Sequence, residues 1–326
     1  MALARWYSAH RCRVRKSRIN PASPSKPKEG NSIKAKAPDA LISTEAFEEF
    51  YEPPEITSED LDYPPDPKTQ QVKRLIIEKL GQEPKRVYFQ RQLEVIYEKQ
   101  FFHWVTDRAI KELQEEGKII VDFYPIPVGT YRDAVKMITS KSNRYYKREA
   151  TRIGELVTQY SNPRVTQDTG LWGQELFKVA YGRYGFHLIA EDVNEFRGER
   201  WLASDKNIDF IVEKKGHYFG CEVKNTLGYM DKREWMEKLR MCKFFGVVPV
   251  FILRYSPTVW NYEIFKSGGL VQLFEAQVFS PGRAELVNQL RDVLELPVMV
   301  SRKIPSSIMD RFEKLLEKRV FREKKL

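Results

Sequence analysis

The stretch 207–225, NIDFIVEKKGHYFGCEVKN, constrains the fold of this chain more than any other segment. Apolar and polar residues alternate on both sides of 214–216 (Lys-Lys-Gly), which predicts two antiparallel strands joined by a tight turn. If the turn centres on residues 215–216, residues at equal distances before and after the turn pair across the hairpin. This register places Asp209 opposite Glu222, to within a residue or two. Because side chains alternate between the faces of a strand, Lys224 shares the face of Glu222.

The segments around this hairpin alternate between helix and strand patterns, which indicates the α/β class. Apolar residues recur at helical spacing in 170–186, and a short strand pattern covers 187–193. A second helix pattern covers 231–245, and a continuous apolar run of the buried kind follows at 246–254. The sequence therefore predicts an αβββαβ core, followed by one or two strands in 258–279.

Two carboxylates that face each other on a mostly apolar hairpin repel, and a bound cation removes that repulsion. Glu-x-Lys occurs five times in the chain, so the tripeptide by itself decides nothing. Only Glu222-Val223-Lys224 has a strand acid opposite it and a preceding helix that carries an acid, Glu175. This combination favours a carboxylate site for a hard cation such as magnesium.

These residues resemble the motif of the PD-(D/E)xK nuclease superfamily, and within it the archaeal Holliday-junction-resolvase-like group. The resemblance covers residues 168–256, with Ile208 standing where the family has proline. It implies a restriction-endonuclease-like fold over 166–302 and an endonuclease that cuts DNA with magnesium, or manganese as a substitute, and leaves 5′-phosphates. The catalytic residues that it implies are Glu175, Asp209, Glu222 and Lys224, and the metal ligands are Asp209, Glu222, Glu175 and the Val223 carbonyl.

Simpler interpretations of the same residues stay open. Glu175 also fits a solvent-facing helix position, and Asp209 also fits a turn cap. Glu222 and Lys224 fit an edge-strand charge pair. Rival acids for the metal site, if Glu175 is not a ligand, are Glu191, Asp192, Glu195 and Glu199.

Residues 69–128 show a different pattern, which predicts a small helical domain. TQQVKRLIIEKLGQ is amphipathic, a short segment follows around 89–96, and a longer helix pattern ends at Gly117 before an apolar strand at 119–124. This order resembles a winged helix-turn-helix domain, and a protein-interaction module is the alternative. In a DNA-binding domain of this kind, the longer helix would face the groove of the DNA. Its candidate contacts are Lys99, Arg108 and Lys111.

Further cations lie beside aromatic residues, as in proteins that hold a nucleic-acid strand. The segment 129–165 is predicted to form a basic helical bridge, and its stretch SKSNRYYKREATR mixes tyrosines with cations. A solvated helix that buries its tyrosine pair is the alternative. The segment 195–201, EFRGERW, is interpreted as a substrate-binding loop. The predicted DNA contacts in these two segments are Arg144, Lys147, Arg148, Arg197 and Arg200.

Net charge and cysteine content indicate the kind of binding partner and the cellular compartment of the protein. The formal net charge is +10 and the pI about 9.3, which favours DNA as a partner. Three cysteines without CxxC spacing indicate a reducing intracellular environment, cytoplasmic or nucleoid. No apolar run reaches the roughly 18 residues that a membrane span needs, so no membrane role is predicted.

The two ends carry the remaining charge patterns. Residues 1–68 combine an Arg-rich, acid-free start with an acidic, proline-rich linker, which predicts a disordered arm. An organelle import signal in 1–28 is the alternative. Residues 303–326 predict an amphipathic basic helix that packs on the core or contributes to a homodimer.

The whole sequence predicts a DNA endonuclease, restriction-like or junction-resolving, with a DNA-binding regulator or scaffold of inactive nuclease fold as the alternative.

Overall fold

The computed structural model describes residues 66–128 and 131–321, so the predicted basic arm and nearly all of the acidic linker lie outside the described residues. Within this part of the chain, helices and strands form the mixed α/β fold that the sequence predicts. The helices are α1 (Pro67–Gln82), α2 (Gln90–Tyr97), α3 (His103–Glu115), α4 (Tyr146–Tyr160), α5 (Pro163–Arg183), α6 (Lys232–Phe244), α7 (Thr258–Lys266), α8 (Ala284–Leu294) and α9 (Ser306–Arg319). The strands are β1 (Val87–Phe89), β2 (Ile119–Val128), β3 (Tyr131–Ser140), β4 (His187–Val193), β5 (Glu195–Phe196), β6 (Glu199–Arg200), β7 (Ile208–Lys214), β8 (His217–Lys224), β9 (Val248–Leu253), β10 (Leu270–Leu273), β11 (Gln277–Phe279) and β12 (Val298–Val300).

A five-stranded sheet with the order β10-β9-β8-β7-β4 forms the centre of the C-terminal part. β8 pairs antiparallel with β7 and parallel with β9, and β10 extends the parallel half. A parallel pair needs a crossover connection, which α6 provides between β8 and β9. The helix, strand, hairpin, helix and strand of the prediction occur in that order, with the short strands β5 and β6 inserted before the hairpin and β10 added at the edge of the sheet.

The hairpin of β7 and β8 has the register that its turn predicts. The ladder runs symmetrically from the turn at 215–216 as far as the pair of Phe210 and Cys221. Both turn residues have positive φ, 53° and 78°, as a two-residue hairpin turn requires. Glycine adopts this conformation at low cost, and its place in the turn fixes the register. The next residues outward along the ladder are Asp209 and Glu222.

The N-terminal part of the described chain contains α1, β1, α2, α3 and the hairpin of β2 and β3, in that order. Its strands form a separate sheet with the order β1-β3-β2. The three helices pack on this sheet through an apolar cluster that includes Val72, Leu93, Ile110 and Ile138.

Residues 131–140 form β3, so the prediction of a helical bridge over 129–165 is wrong for this stretch. β3 is the central strand of its sheet and pairs antiparallel with both β1 and β2. Its successive residues Met137 and Ile138 are both buried, because separate apolar clusters cover the two faces of the sheet. Helical structure in the bridge begins at Tyr146 with α4.

The segment 258–279 contains two strands, as predicted, but it begins with a helix, α7, that the sequence pattern does not predict. Its second half forms the short strands β10 and β11. Helix α7 follows Pro257 and buries Ile264 in an apolar cluster with Phe251 and Val271 of the sheet. Burial against the sheet edge therefore determines the structure of this segment.

Helix α9 confirms the predicted C-terminal helix over residues 306–319. Ile308, Phe312 and Leu316 of α9 belong to the same apolar cluster as Phe210 and Phe219 of the hairpin. The helix thus packs on the core of the five-stranded sheet, and a contribution to a homodimer stays a prediction.

Residues from both predicted domains share one apolar cluster. Val87 of β1 and Val95 of α2 lie in the same cluster as Val287 and Leu290 of α8. The described residues belong to one compact unit that starts at Asp66. The predicted domain boundaries inside this unit stay predictions. Among the described helices, none is long and apolar enough to cross a membrane.

Candidate active site

The start of β7 and the end of β8 lie side by side and bring Asp209 and Glu222 together. The side chain of Asp209 turns towards β8, where its Oδ2 accepts a hydrogen bond of 2.7 Å from the main-chain N–H of Val223. Glu222 is buried, with 8% of its surface exposed. The hairpin therefore holds a buried carboxylate, Glu222, beside a half-buried one, Asp209.

Burial raises the pKa of both carboxyl groups. For Glu222, burial is the largest cause of the raised pKa and the charge of Asp209 is the next, while the Lys238 ammonium acts in the opposite direction. Burial also raises the pKa of Asp209, although the charge of Lys238 and the Val223 N–H act in the opposite direction. The charge of Asp209 thus disfavours the charge of Glu222, and a cation bound between the two carboxylates would stabilise both.

Lys224, the last residue of β8, supplies one positive charge at this site. Its Nζ lies 2.6 Å from Oε1 of Glu234 on α6. Burial lowers the pKa of Lys224, but Glu234, Glu222 and Asp209 raise it more, so the pKa lies above its ordinary value. Lys224 is therefore a protonated cation beside the two carboxylates at neutral pH.

A second lysine, Lys238 of α6, reaches Glu222 from the helix. Its Nζ lies 2.5 Å from Oε2 of Glu222 and also donates to the main-chain oxygen of Asn207. Burial lowers the pKa of Lys238, but the charges of Glu222 and Asp209 raise it more. Only 7% of its side chain is exposed, so Lys238 is a buried counter-ion of the carboxylate pair.

Helix α6 thus presents Glu234 and Lys238 to the opposite charges of β8, Lys224 and Glu222. Four helix residues rise about 6 Å and two strand residues span about 6.6 Å, so the two pairs match in spacing. Neither residue of the helix pair is among the site residues that the sequence predicts. The signal of this pair is Glu-x-x-x-Lys, the i,i+4 spacing of neighbours on one helix face, in the helix directly after the hairpin.

Glu175 of α5 lies on the exposed side of its helix. Its side chain is 60% exposed, and its carboxylate lies 2.5 Å from Nζ of Lys178, which also binds Glu191 at 2.7 Å. Among the contacts of the described residues, none joins Glu175 to Asp209. Of the rival acids, Asp192 is the one whose charge raises the pKa of Asp209. The assignment of Glu175 as a metal ligand stays a prediction.

The carboxylates suit one hard cation. Magnesium in proteins is commonly held by one or two carboxylates and keeps several waters, and Asp209 and Glu222 supply two. Within the described part of the chain, no group of three or more His, Cys, Asp or Glu side chains is placed to hold a metal ion. Because Lys238 already neutralises Glu222, a divalent cation that enters here competes with its ammonium group.

The predicted DNA contacts all lie at the surface of the protein. Arg108 and Lys111 of α3 each pair with a glutamate one turn later, so acids partly neutralise this helix face. Arg197 lies in the turn between β5 and β6, and its guanidinium is 4.1 Å from the ring centre of Tyr218 on β8. Tyr145, the first tyrosine of the predicted basic bridge, is 89% exposed. It faces solvent next to the exposed cations of the same stretch, Arg144, Lys147 and Arg148.

Comparison with protein-family models, with curated proteins and with solved structures gives no match for this chain. The chemistry available at the site follows from its own residues. Two adjacent acids can hold a cation, and the protonated lysine at the strand end can stabilise negative charge on a nearby oxygen.

Proposed function

We propose that this protein is a metal-dependent endonuclease that hydrolyses phosphodiester bonds in DNA. The observation that carries the proposal is the pair of Asp209 and Glu222 on adjacent strands, with Lys224 at the strand end. The order αβββαβ around them and their residue types resemble the PD-(D/E)xK superfamily, which supports a restriction-endonuclease-like interpretation of residues 166–302.

Each residue of the candidate active site has a separate role in the proposed reaction. A magnesium ion held by Asp209 and Glu222, or manganese in its place, would polarise a phosphoryl oxygen and make a bound water a better nucleophile. Lys224 stays protonated, so it orients the water or the phosphate oxygen by hydrogen bonds and stabilises developing negative charge. Glu234 holds the Lys224 ammonium in place through their 2.6 Å contact.

The N-terminal part of the described chain supports DNA as the substrate. Its order of helix, strand, two helices and a hairpin resembles a winged helix, in which α3 is the helix that enters the groove. Exposed cations and the formal net charge of +10 favour a polyanionic partner. An intracellular location and homodimer formation belong to the same proposal.

A DNA-binding regulator or scaffold with an inactive nuclease fold is the second candidate. The contact of Lys238 with Glu222 favours it, because a permanent ammonium at this carboxylate would keep a divalent cation out. The outward position of Glu175 favours it as well, since the metal site then has one carboxylate fewer than the resemblance implies.

End-labelled DNA distinguishes the two candidates. Purified protein is incubated with a blunt duplex, a flap, a four-way junction and a single strand, with magnesium or manganese and with EDTA. We expect cutting of at least one substrate with metal, no cutting in EDTA, and binding in both.

Asp209→Asn should abolish cutting, whereas Asp292→Asn, at an exposed acid of α8, should leave it intact. Cutting in EDTA or by Asp209→Asn would overturn the metal assignment. Binding without cutting in either metal would establish the regulator instead.

A further inference from the structure

Aromatic side chains form a continuous ring cluster at the end of the five-stranded sheet. Phe102 and Trp104 stack face to face, with ring centroids 4.1 Å apart and planes 11° apart. Trp260 of α7 lies 6.0 Å and 6.2 Å from these two rings, and Tyr229 lies 6.0 Å from Trp260. We call this cluster the aromatic platform. Its members are Phe102, His103, Trp104, Tyr229, Tyr255 and Trp260.

The aromatic platform adjoins the candidate active site. Tyr229 lies in the loop that follows Lys224, and Tyr255 follows Arg254, whose main-chain N–H donates to the Lys224 oxygen. β8 and β9 are parallel, so the residues after both strands emerge at the same edge of the sheet. A DNA strand bound at Lys224 can therefore reach the aromatic platform.

Part of the aromatic platform is open to solvent. Trp104 is 48% exposed, and its neighbour in the stack, Phe102, is half-buried. Val259, next to Trp260 on α7, is 56% exposed. Exposed aromatic and apolar groups that adjoin one another mark a surface for a ligand.

Lysines border the aromatic platform. Lys99 is exposed and lies three residues before Phe102. Lys232 follows the Tyr229 loop, is 53% exposed, and pairs at 3.0 Å with Glu263, which lies one turn after Trp260 on α7. His103 adds no positive charge, because burial lowers its pKa to about 4. Neutral ring faces beside lysines match a nucleic-acid strand, whose bases stack on rings while its phosphates contact cations.

We propose that the aromatic platform stacks unpaired bases of the DNA strand that is bound at the active site. This inference rests on the proposed nuclease function and names its substrate class, DNA with a single-stranded segment such as a flap, a splayed end or an opened junction. A base inside a continuous duplex is stacked between its neighbours and has to leave the stack before it can offer its face to a protein. The bordering lysines favour DNA over a protein partner, because lysine is depleted in protein interfaces.

Binding measured in EDTA tests this inference apart from cleavage. The probes are a labelled oligo-dT strand, a blunt duplex, and the same duplex with a splayed, non-complementary end. We expect Trp104→Ala to weaken binding of the first and third probes by about 5- to 150-fold per stacked base, with the blunt duplex unaffected. Trp104→Phe should retain most of the affinity, because phenylalanine still offers a ring face.

Trp260→Ala tests the same surface at a second ring, which lies 6.2 Å from Trp104, and should weaken the same two probes. Val179→Ala is the control, since Val179 of α5 is 52% exposed and lies outside the aromatic platform. Unchanged oligo-dT binding in both Trp104→Ala and Trp260→Ala overturns the inference and assigns this surface to a protein partner. Equal losses on all probes overturn it too. Neither result affects metal-dependent cutting, so the nuclease proposal is judged separately.

Discussion

Lys224 is the residue whose replacement separates catalysis from a purely structural role. Lys224→Ala removes the ammonium beside Asp209 and Glu222 but leaves both carboxylates in place. We expect the cleavage rate to fall by about two to four orders of magnitude, as for the loss of a positioned catalytic group. DNA affinity in EDTA should stay unchanged. Single-turnover cleavage and filter binding measure the two quantities.

Lys118 and Lys215 provide matched controls for this substitution. Each ends another Glu-x-Lys tripeptide and forms an exposed ion pair of its own. Lys118→Ala and Lys215→Ala should cut DNA at the wild-type rate. If Lys224→Ala cuts as fast as these two variants, Glu222-Val223-Lys224 is an ordinary charged strand end.

Lys238 neutralises Glu222 in the metal-free protein, so its removal should make stability depend on metal. Lys238→Met keeps much of the aliphatic length and leaves Asp209 and Glu222 without this cation. Loss of one partner of a buried ion pair costs about 3–5 kcal/mol, and a cation that binds only the folded state restores stability by mass action. We expect the melting temperature of the variant to fall in EDTA, and to rise with magnesium by more than that of the wild type.

Lys243→Met is the control on the same helix, because Lys243 is exposed. Its melting temperature should match the wild type in both conditions. A Lys238→Met protein whose melting temperature is equally low with and without magnesium would contradict a divalent cation at Glu222.

The site residues of the hairpin could be predicted because their placement depends only on a local register. The turn and the alternation of apolar residues suffice to bring Asp209 level with Glu222. Lys238 could not be placed in the same way, because its contact with Glu222 depends on how α6 packs across the sheet. Glu175 shows a related limit. Its sequence neighbours Leu176 and Phe177 are buried, but Glu175 itself lies on the exposed side of the helix.

At the scale of whole elements, local patterns predict α5, α6 and the β7–β8 hairpin but fail for β3 and α7. β3 is covered on both faces, so it lacks the alternation that marks a half-buried strand. α7 has the sequence TVWNYEIFK, whose β-branched and aromatic residues favour a strand. Its packing through Ile264 against the sheet outweighs that preference.

A buried ion pair joins the end of α2 to the end of β9. Arg254 is 1% exposed and donates to both carboxylate oxygens of Glu98, at 2.7 Å and 2.5 Å. It also donates to the main-chain oxygens of Thr226 and Leu227, in the loop after the active-site strand. Arg254→Met would leave a buried charge without a partner, so we expect the free energy of unfolding to fall by about 3–5 kcal/mol in urea titrations.

Arg291→Met is the matched control, since Arg291 pairs with Asp292 at a site where its side chain is 54% exposed. Exposed pairs contribute about 0–1 kcal/mol, so this variant should unfold close to the wild-type midpoint. Adding Glu98→Gln to Arg254→Met should recover part of the lost stability. Absence of any recovery would contradict the explanation by a buried, unpaired carboxylate.

At the scale of the whole molecule, the N-terminal and C-terminal parts of the described chain share an apolar cluster in addition to the clusters of their own. Val95 of α2 and Leu290 of α8 belong to this shared cluster, and the Glu98–Arg254 pair crosses between the same parts. Removal of residues 69–128 would expose the shared cluster to water and unbalance the buried charge of Arg254. The proposed DNA-binding role of the N-terminal part is therefore best tested by substitutions at its surface.

The salt dependence of DNA binding provides that test. The first triple variant removes exposed cations at the proposed winged helix, through the replacement by alanine of Lys99, Arg108 and Lys111. The control removes the same charge from the exposed side of α9, through the replacement by alanine of Lys314, Lys318 and Arg319. Each phosphate contact contributes about 0.9 to the slope of log K against log salt concentration, so we expect the first variant to have a slope shallower by up to about 2.7. Anisotropy titrations over a salt series measure both slopes, and equal slopes in the two variants would assign the N-terminal part to protein contacts.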